Sequence, residues 1–128
     1  MSKEGPMEMA CPYCGKPAEW VDNAERYGRR YGKSWMCWWC RGCDAYVGCH
    51  RNTRVPLGTM ADANTRMWRT RAHAAIDPLW KGGHMSRSKM YDWLSERLGR
   101  DVHVGSSSAA ECREIIGIAV ELIKRKAR

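Results

Sequence analysis

Seven cysteines stand in a chain of 128 residues. Two groups of them have the spacing of metal ligands: Cys11-Pro-Tyr-Cys14-Gly and Cys40-Arg-Gly-Cys43, with 25 residues between the two turns. A CxxC turn aims both thiolates and its inner backbone N–H groups at one point, so two such turns can enclose a tetrahedral zinc ion at about 2.3 Å from each sulfur. A site of this kind is closed. With all four positions filled by protein, the ion folds the chain and performs no chemistry. The odd cysteine count and the start MSKEGPMEMACPYC, which lacks the apolar stretch of a secretory signal, argue against a disulfide framework and against export. No βαβ pattern surrounds either CxxC, which argues against a thioredoxin-like redox pair.

The other three thiols leave the ligand set partly open. Cys37 also forms a CxxC with Cys40, so the second turn is Cys40/Cys43, Cys37/Cys40 or a rearranged set. Gly42 favours Cys40 and Cys43, because it eases the tight turn. Cys49 and His50 are adjacent, and neighbours on an extended chain point apart, so the two rarely bind one ion together. Cys112 falls in a helical pattern with Ile115, Ile116 and Ala119, where burial is the ordinary fate of a thiol.

These ligands need a small β structure. Glu19-Trp20-Val21, Ser34 to Trp39 and Ala45-Tyr46-Val47 are strand-like, separated by turns at Asp22-Asn23, Gly28 and Gly32. Residues 1–10 read as a loose lead-in and His50 to Gly58 as a connector. From Thr59 onward the pattern is helical: one helix capped by Thr59 and ending near Ile76 ahead of Pro78, a second from Ser86 or Ser88 to Leu98, and a third behind the capping box Ser108-Ala-Ala-Glu111. The third ends in Lys124-Arg125-Lys126-Ala127-Arg128, cations suited to a helix C-terminus. The expected fold class is therefore α+β: an N-terminal four-cysteine zinc-ribbon β-hairpin over residues 1–58 packed on a three-helix unit over residues 59–128. No run of about 18 apolar residues exists, which excludes a membrane-spanning helix.

The formal net charge is +8, or roughly +6 once four thiolates hold one divalent ion. A basic surplus suits an anionic partner without naming one. Its densest aromatic company is the segment Arg26, Tyr27, Arg29, Arg30, Tyr31, Lys33 and Trp35, followed by Trp38-Trp39. Aromatics that stack bases and cations that track phosphates are the ingredients of single-strand binding. The same Trp–Tyr–Arg mixture also makes protein-interface hot spots, and tryptophans equally fill a core. Three tryptophans exceed what one thin ribbon can bury, so at least one is expected at the surface. On the first helix, Asp62, Arg66, Arg69, His73 and Asp77 share one stripe, opposite Ala61, Met67, Trp68, Ala72 and Ala75. Arg66, Arg69 and His73 could meet phosphates there, whereas Asp62–Arg66 and His73–Asp77 also have the spacing of ordinary surface pairs. His73 and Asp77 would be a base and its orienter in an enzyme, but no nucleophile or catalytic metal set accompanies them.

The order of motifs adds a further indication. Cys11-Pro-Tyr-Cys14-Gly15 is followed by Cys40-x-x-Cys43-Asp-Ala-Tyr-Val-Gly-Cys49-His50, and then by Pro56-Leu-Gly-Thr-Met-Ala-Asp62. Arg69-x-x-Ala-His-Ala-Ala-Ile-Asp-Pro-Leu-Trp80, Tyr91-x-Trp93-Leu94 and His103-Val-Gly105 complete the series. The chain resembles the phage-encoded zinc-finger-containing domain family over nearly its whole length. The resemblance implies the ligand set Cys11, Cys14, Cys40 and Cys43, with Cys37 and the Trp38-Trp39 pair as departures from the family pattern. It also implies a phage origin and action in the cytoplasm of an infected bacterial host, and it implies no activity. Together these readings give a zinc protein without catalysis or membrane attachment that binds nucleic acid, DNA or RNA, through the basic–aromatic hairpin and the helix face. The alternative is a phage effector that docks on a bacterial host protein or defence complex.

Overall fold

A computed structural model describes residues 5–83 and 85–126. The chain divides into two compact units, Met1–Ala63 and Asn64–Arg128, each with its own apolar cluster. The sequence suggests a boundary near residue 58. Residues 59–62 stay with the first unit because Ala61 and Tyr46 exchange both backbone hydrogen bonds, 3.0 and 3.1 Å long. For the same reason Thr59 caps no helix, and the first long helix begins only at Ala63.

The first unit is built on an antiparallel three-stranded sheet, β1 (Glu19–Asp22), β2 (Met36–Cys40) and β3 (Ala45–Gly48), in that order. Strand alternation separates its two faces. Trp20 pairs with Trp38 and Trp38 with Val47. That face closes over Cys11, Cys40, Ala45, Cys49 and Met60. The opposite face carries Val21, Cys37, Trp39 and Tyr46. The expected hairpin between β1 and β2 is instead a long loop that opens with one helical turn, α1 (Ala24–Tyr27), ended by Gly28 at φ 82°. The lead-in is not loose over its described part. Met9 accepts the Ala18 N–H at 2.8 Å, Ala10 bridges Pro17, and Gly5, at φ +106°, lies so close to Arg54 and Val55 that any Cβ would strike their backbone. Residues 1–4 lie outside the described residues.

Among the described residues, the second unit holds three long helices, α2 (Ala63–Lys81), α3 (Arg87–Leu98) and α4 (Ala109–Lys126), with one 3-10 turn at Val104–Ser106. Their core is Ala72, Ile76, Leu79, Met90, Leu94, Val102, Val104, Cys112, Ile115 and Ala119. α2 continues through Pro78 rather than stopping at Ile76. Proline removes one N–H and disfavours helix before it, but buried Ile76 and Leu79 hold the last turn on the core, which outweighs that cost. The caps follow the sequence signals. Ser86 Oγ accepts the Lys89 N–H, Gly99 closes α3 at φ 69°, and Ser108 and Glu111 exchange reciprocal hydrogen bonds of 2.9 and 3.2 Å at the start of α4. Of the basic tail, Ala127 and Arg128 lie outside the described residues. No helix among the described residues is long and apolar enough to cross a membrane.

Candidate metal centre and the aromatic face of the ribbon

The first cysteine turn precedes β1 and the second joins β2 to β3. In the first, Gly15 N–H returns to the Cys11 carbonyl at 2.8 Å, and the Tyr13 N–H points at Cys11 Sγ at 3.4 Å. The residue after the second cysteine is left-handed in both turns: Gly15 at φ 76° and Asp44 at φ 49°. Gly42, which the sequence suggests as the permissive residue, is not in that region; the turn bends at Asp44 instead. Aspartate tolerates this conformation better than most side chains.

The four sulfurs of Cys11, Cys14, Cys40 and Cys43 lie within 4.8 Å of one another. Cys14 Sγ and Cys40 Sγ are 3.7 Å apart, close to the ~3.8 Å edge of a tetrahedron with zinc–sulfur bonds of ~2.3 Å. The residues therefore fit one structural zinc, with all four positions taken by thiolates. Cys11 and Cys40 are buried, Cys43 is half-buried and Cys14 exposed. The Lys16 backbone hydrogen bond draws the Cys14 thiol down to about 7. The Cys43 thiol, hydrogen-bonded to Cys14, is pushed up to about 12. Cys37 does not join the cluster: it lies on β2 facing the other side of the sheet, where burial pushes its thiol up to about 11. Cys49 and His50 also lie outside it, Cys49 buried and His50 exposed.

The loop between β1 and β2 is held by a residue that the sequence offers only as a turn former. Buried Asn23 donates from Nδ2 to the carbonyls of Tyr31 and Ser34 and accepts the Tyr31 N–H on Oδ1. This clamp sets the aromatic–cationic segment in place. Arg26 is committed internally, with Nε and Nη2 on the Asp44 carboxylate and its guanidinium 5.4 and 5.3 Å from the Tyr27 and Tyr46 rings. Arg30 pairs with Asp22 at 2.8 Å and covers Trp35 at 4.3 Å. Arg29 and Lys33 are exposed and form no ion pair among the described residues. Tyr27, Tyr31 and Trp35 are 40%, 68% and 49% exposed. Trp38 is not a surface residue. Strand alternation turns it inward, where it is 2% exposed and donates Nε1 to the Arg54 carbonyl.

Two concavities flank Lys33 and Arg51. One, of about 160 Å³, is lined by Trp20, Trp35, Arg30 and Met36. The other, of about 450 Å³, is lined by Tyr27, Tyr31, Tyr46 and Leu57. Both include Lys33, Ser34 and Arg51. Trp20 and Arg51 come from outside the segment that composition singles out. The turn His50–Thr53, with Asn52 at φ 59°, carries Arg51 to the rim, and Arg-Asn-Thr is the only local sign of it.

Arg66, Arg69 and His73 belong to the second unit. Arg66 and Arg69 are half-buried, and Arg69 Nε donates to the Ser107 carbonyl at 2.9 Å. His73 is exposed and unpaired with Asp77, whose carboxylate takes Trp80 Nε1 at 3.3 Å and Lys81 Nζ at 3.4 Å.

A three-stranded antiparallel sheet with two cysteine turns converging on one tetrahedral point defines a four-cysteine zinc-ribbon protein, here with three helices following it. The family model of the zinc-finger-containing domain matches residues 7–122, and the chain belongs to that family. No curated protein and no solved structure matches it.

Proposed function

We propose that the ribbon binds single-stranded nucleic acid, DNA or RNA, across the face formed by its two concavities. The supporting observation is the placement of Lys33 and Arg51, two exposed cations without ion pairs among the described residues, between Trp20 and Trp35 on one side and Tyr27 and Tyr31 on the other. Bases stacked on the exposed rings would leave their phosphates beside those cations, each stacked base contributing about 1–3 kcal/mol. Arg26, Arg30 and Arg41 answer to Asp44, Asp22, Glu19 and Glu25, so their part is to hold the rings rather than to attract a strand. This reading gives His73 and Asp77 no catalytic part; the Asp77 carboxylate takes Trp80 Nε1 and Lys81 Nζ. The setting we infer, from a motif order that resembles a phage-encoded family, is the cytoplasm of an infected bacterial host.

Fluorescence anisotropy with labelled single strands at low and moderate salt tests this. Binding that weakens linearly in log salt, and falls at least tenfold for the Lys33→Ala/Arg51→Ala variant, is the expected result. Absence of binding to any strand at low salt, with recovery of a bacterial protein after nuclease treatment, would replace nucleic acid by a host protein as the partner.

A further inference from the structure

A second cationic–aromatic site lies within the helical unit, made of residues other than Arg66, Arg69 and His73. Trp68 of α2 is flanked by Arg71, one turn on, with its guanidinium carbon 5.0 Å from the ring centroid, and by Arg113 of α4 at 4.6 Å. Both arginines are exposed, and neither forms an ion pair among the described residues. Helix spacing explains this. The positions three and four residues from Arg71 are Met67, Trp68, Ala74 and Ala75, and those from Arg113 are Ala109, Ala110, Ile116 and Gly117, with no carboxylate among them. The nearest acids of α4 are engaged elsewhere, Glu111 with Arg100 at 2.9 Å and Glu114 with Arg100 at 3.8 Å.

Two like charges thus lie within about 10 Å of one another, held against a single ring, with no ion pair to either among the described residues. Stacking uses the flat face of a guanidinium and leaves its N–H edges free for paired hydrogen bonds to phosphate oxygens. A nucleic-acid strand carries a phosphate every ~3.4 Å of duplex axis, so neighbouring phosphates fall within that span. The geometry points to Arg71 and Arg113 as a phosphate clamp for the backbone of the same nucleic acid, with Trp68 fixing their spacing. This rests on the reading of the chain as a nucleic-acid binder, and it adds the helical unit to the footprint through residues other than Arg66, Arg69 and His73.

The test is the salt dependence of binding of a single strand of about 30 nucleotides to the zinc-loaded full chain, for wild type, Arg71→Gln/Arg113→Gln and Arg71→Lys/Arg113→Lys. Each phosphate contact contributes about 0.7 to the slope of log affinity against log salt on single strands. The glutamine pair should flatten the slope by about 1.4, and the lysine pair, which keeps both charges, should leave it near wild type. A glutamine pair with the wild-type slope overturns the clamp while leaving the ribbon reading intact. Absence of binding by wild type overturns both. Equal loss of slope in the glutamine and lysine pairs points to disturbed packing around Trp68 and also overturns the clamp.

Discussion

Arg26 grips Asp44 with two hydrogen bonds, Nε to Oδ1 at 2.6 Å and Nη2 to Oδ2 at 2.9 Å. Asp44 is also the left-handed residue that closes the second cysteine turn, and its Oδ1 accepts Trp39 Nε1 at 3.1 Å. One carboxylate therefore ties α1 and β2 to the backbone beside a zinc ligand. Replacement by alanine removes these bonds and leaves an alanine at positive φ, for an expected loss of about 1–3 kcal/mol. The carboxylate is 43% exposed, which places the ionic share at the low end. Asp44→Gly should cost less because the backbone strain is relieved, and Asp44→Asn least. Urea unfolding of the zinc-loaded variants checks the order.

Zinc binding should involve four cysteines and no others. One zinc per chain is expected for wild type and for Cys37→Ala, and none held tightly by Cys14→Ala or Cys43→Ala, with native mass spectrometry as the measurement. A chelator should unfold the ribbon, since the ion replaces much of the core that so small a sheet lacks.

The metal competes with protons for the same sulfurs, so apparent zinc affinity should fall as pH is lowered. The sign follows from the thiols. Cys43, pushed up to about 12, gives up its proton only on binding the metal at any ordinary pH. Cys14, drawn down to about 7, is already a thiolate above that value and protonated below it. The fall should therefore steepen below about pH 7. A competitive zinc-indicator titration spanning that value from the alkaline to the acid side reads it.

Asn23 should matter to shape more than its place in a turn suggests. Asn23→Ala leaves the Tyr31 and Ser34 carbonyls and the Tyr31 N–H without that partner, for a loss of about 1–3 kcal/mol. It should also loosen Tyr31 and Lys33, so strand affinity should drop although no charge changes. Thermal unfolding and anisotropy on the same preparation separate the two effects.

The legible parts of this fold are those written in local chemistry. The paired CxxC turns, the Ser108–Glu111 box and Gly99 each signal through residues a few positions apart, and each stands where its spacing implies. The illegible parts depend on distant partners. Ala61 looks helical until Tyr46 claims its backbone, and Pro78 looks like a stop until Leu79 is seen in the core. Trp35 and Trp38 are equivalent in composition, but alternation within β2 turns Trp38 inside, while Trp35 stands just ahead of the strand and is exposed. The free cations are equally hidden. Arg26 and Arg30 look like ligands for phosphate, yet carboxylates from Asp44 and Asp22 occupy them, leaving Arg29 and Lys33 of that segment together with Arg51.

Ultraviolet crosslinking of a bound oligouridylate or oligothymidylate, followed by peptide mass spectrometry, tests most directly whether this face of the ribbon receives the strand. Crosslinks to Trp35 and Tyr31, lost on Lys33→Ala/Arg51→Ala substitution, are the expected result. Binding with crosslinks confined to residues 64–126, or with none on the segment 27–35, would contradict it.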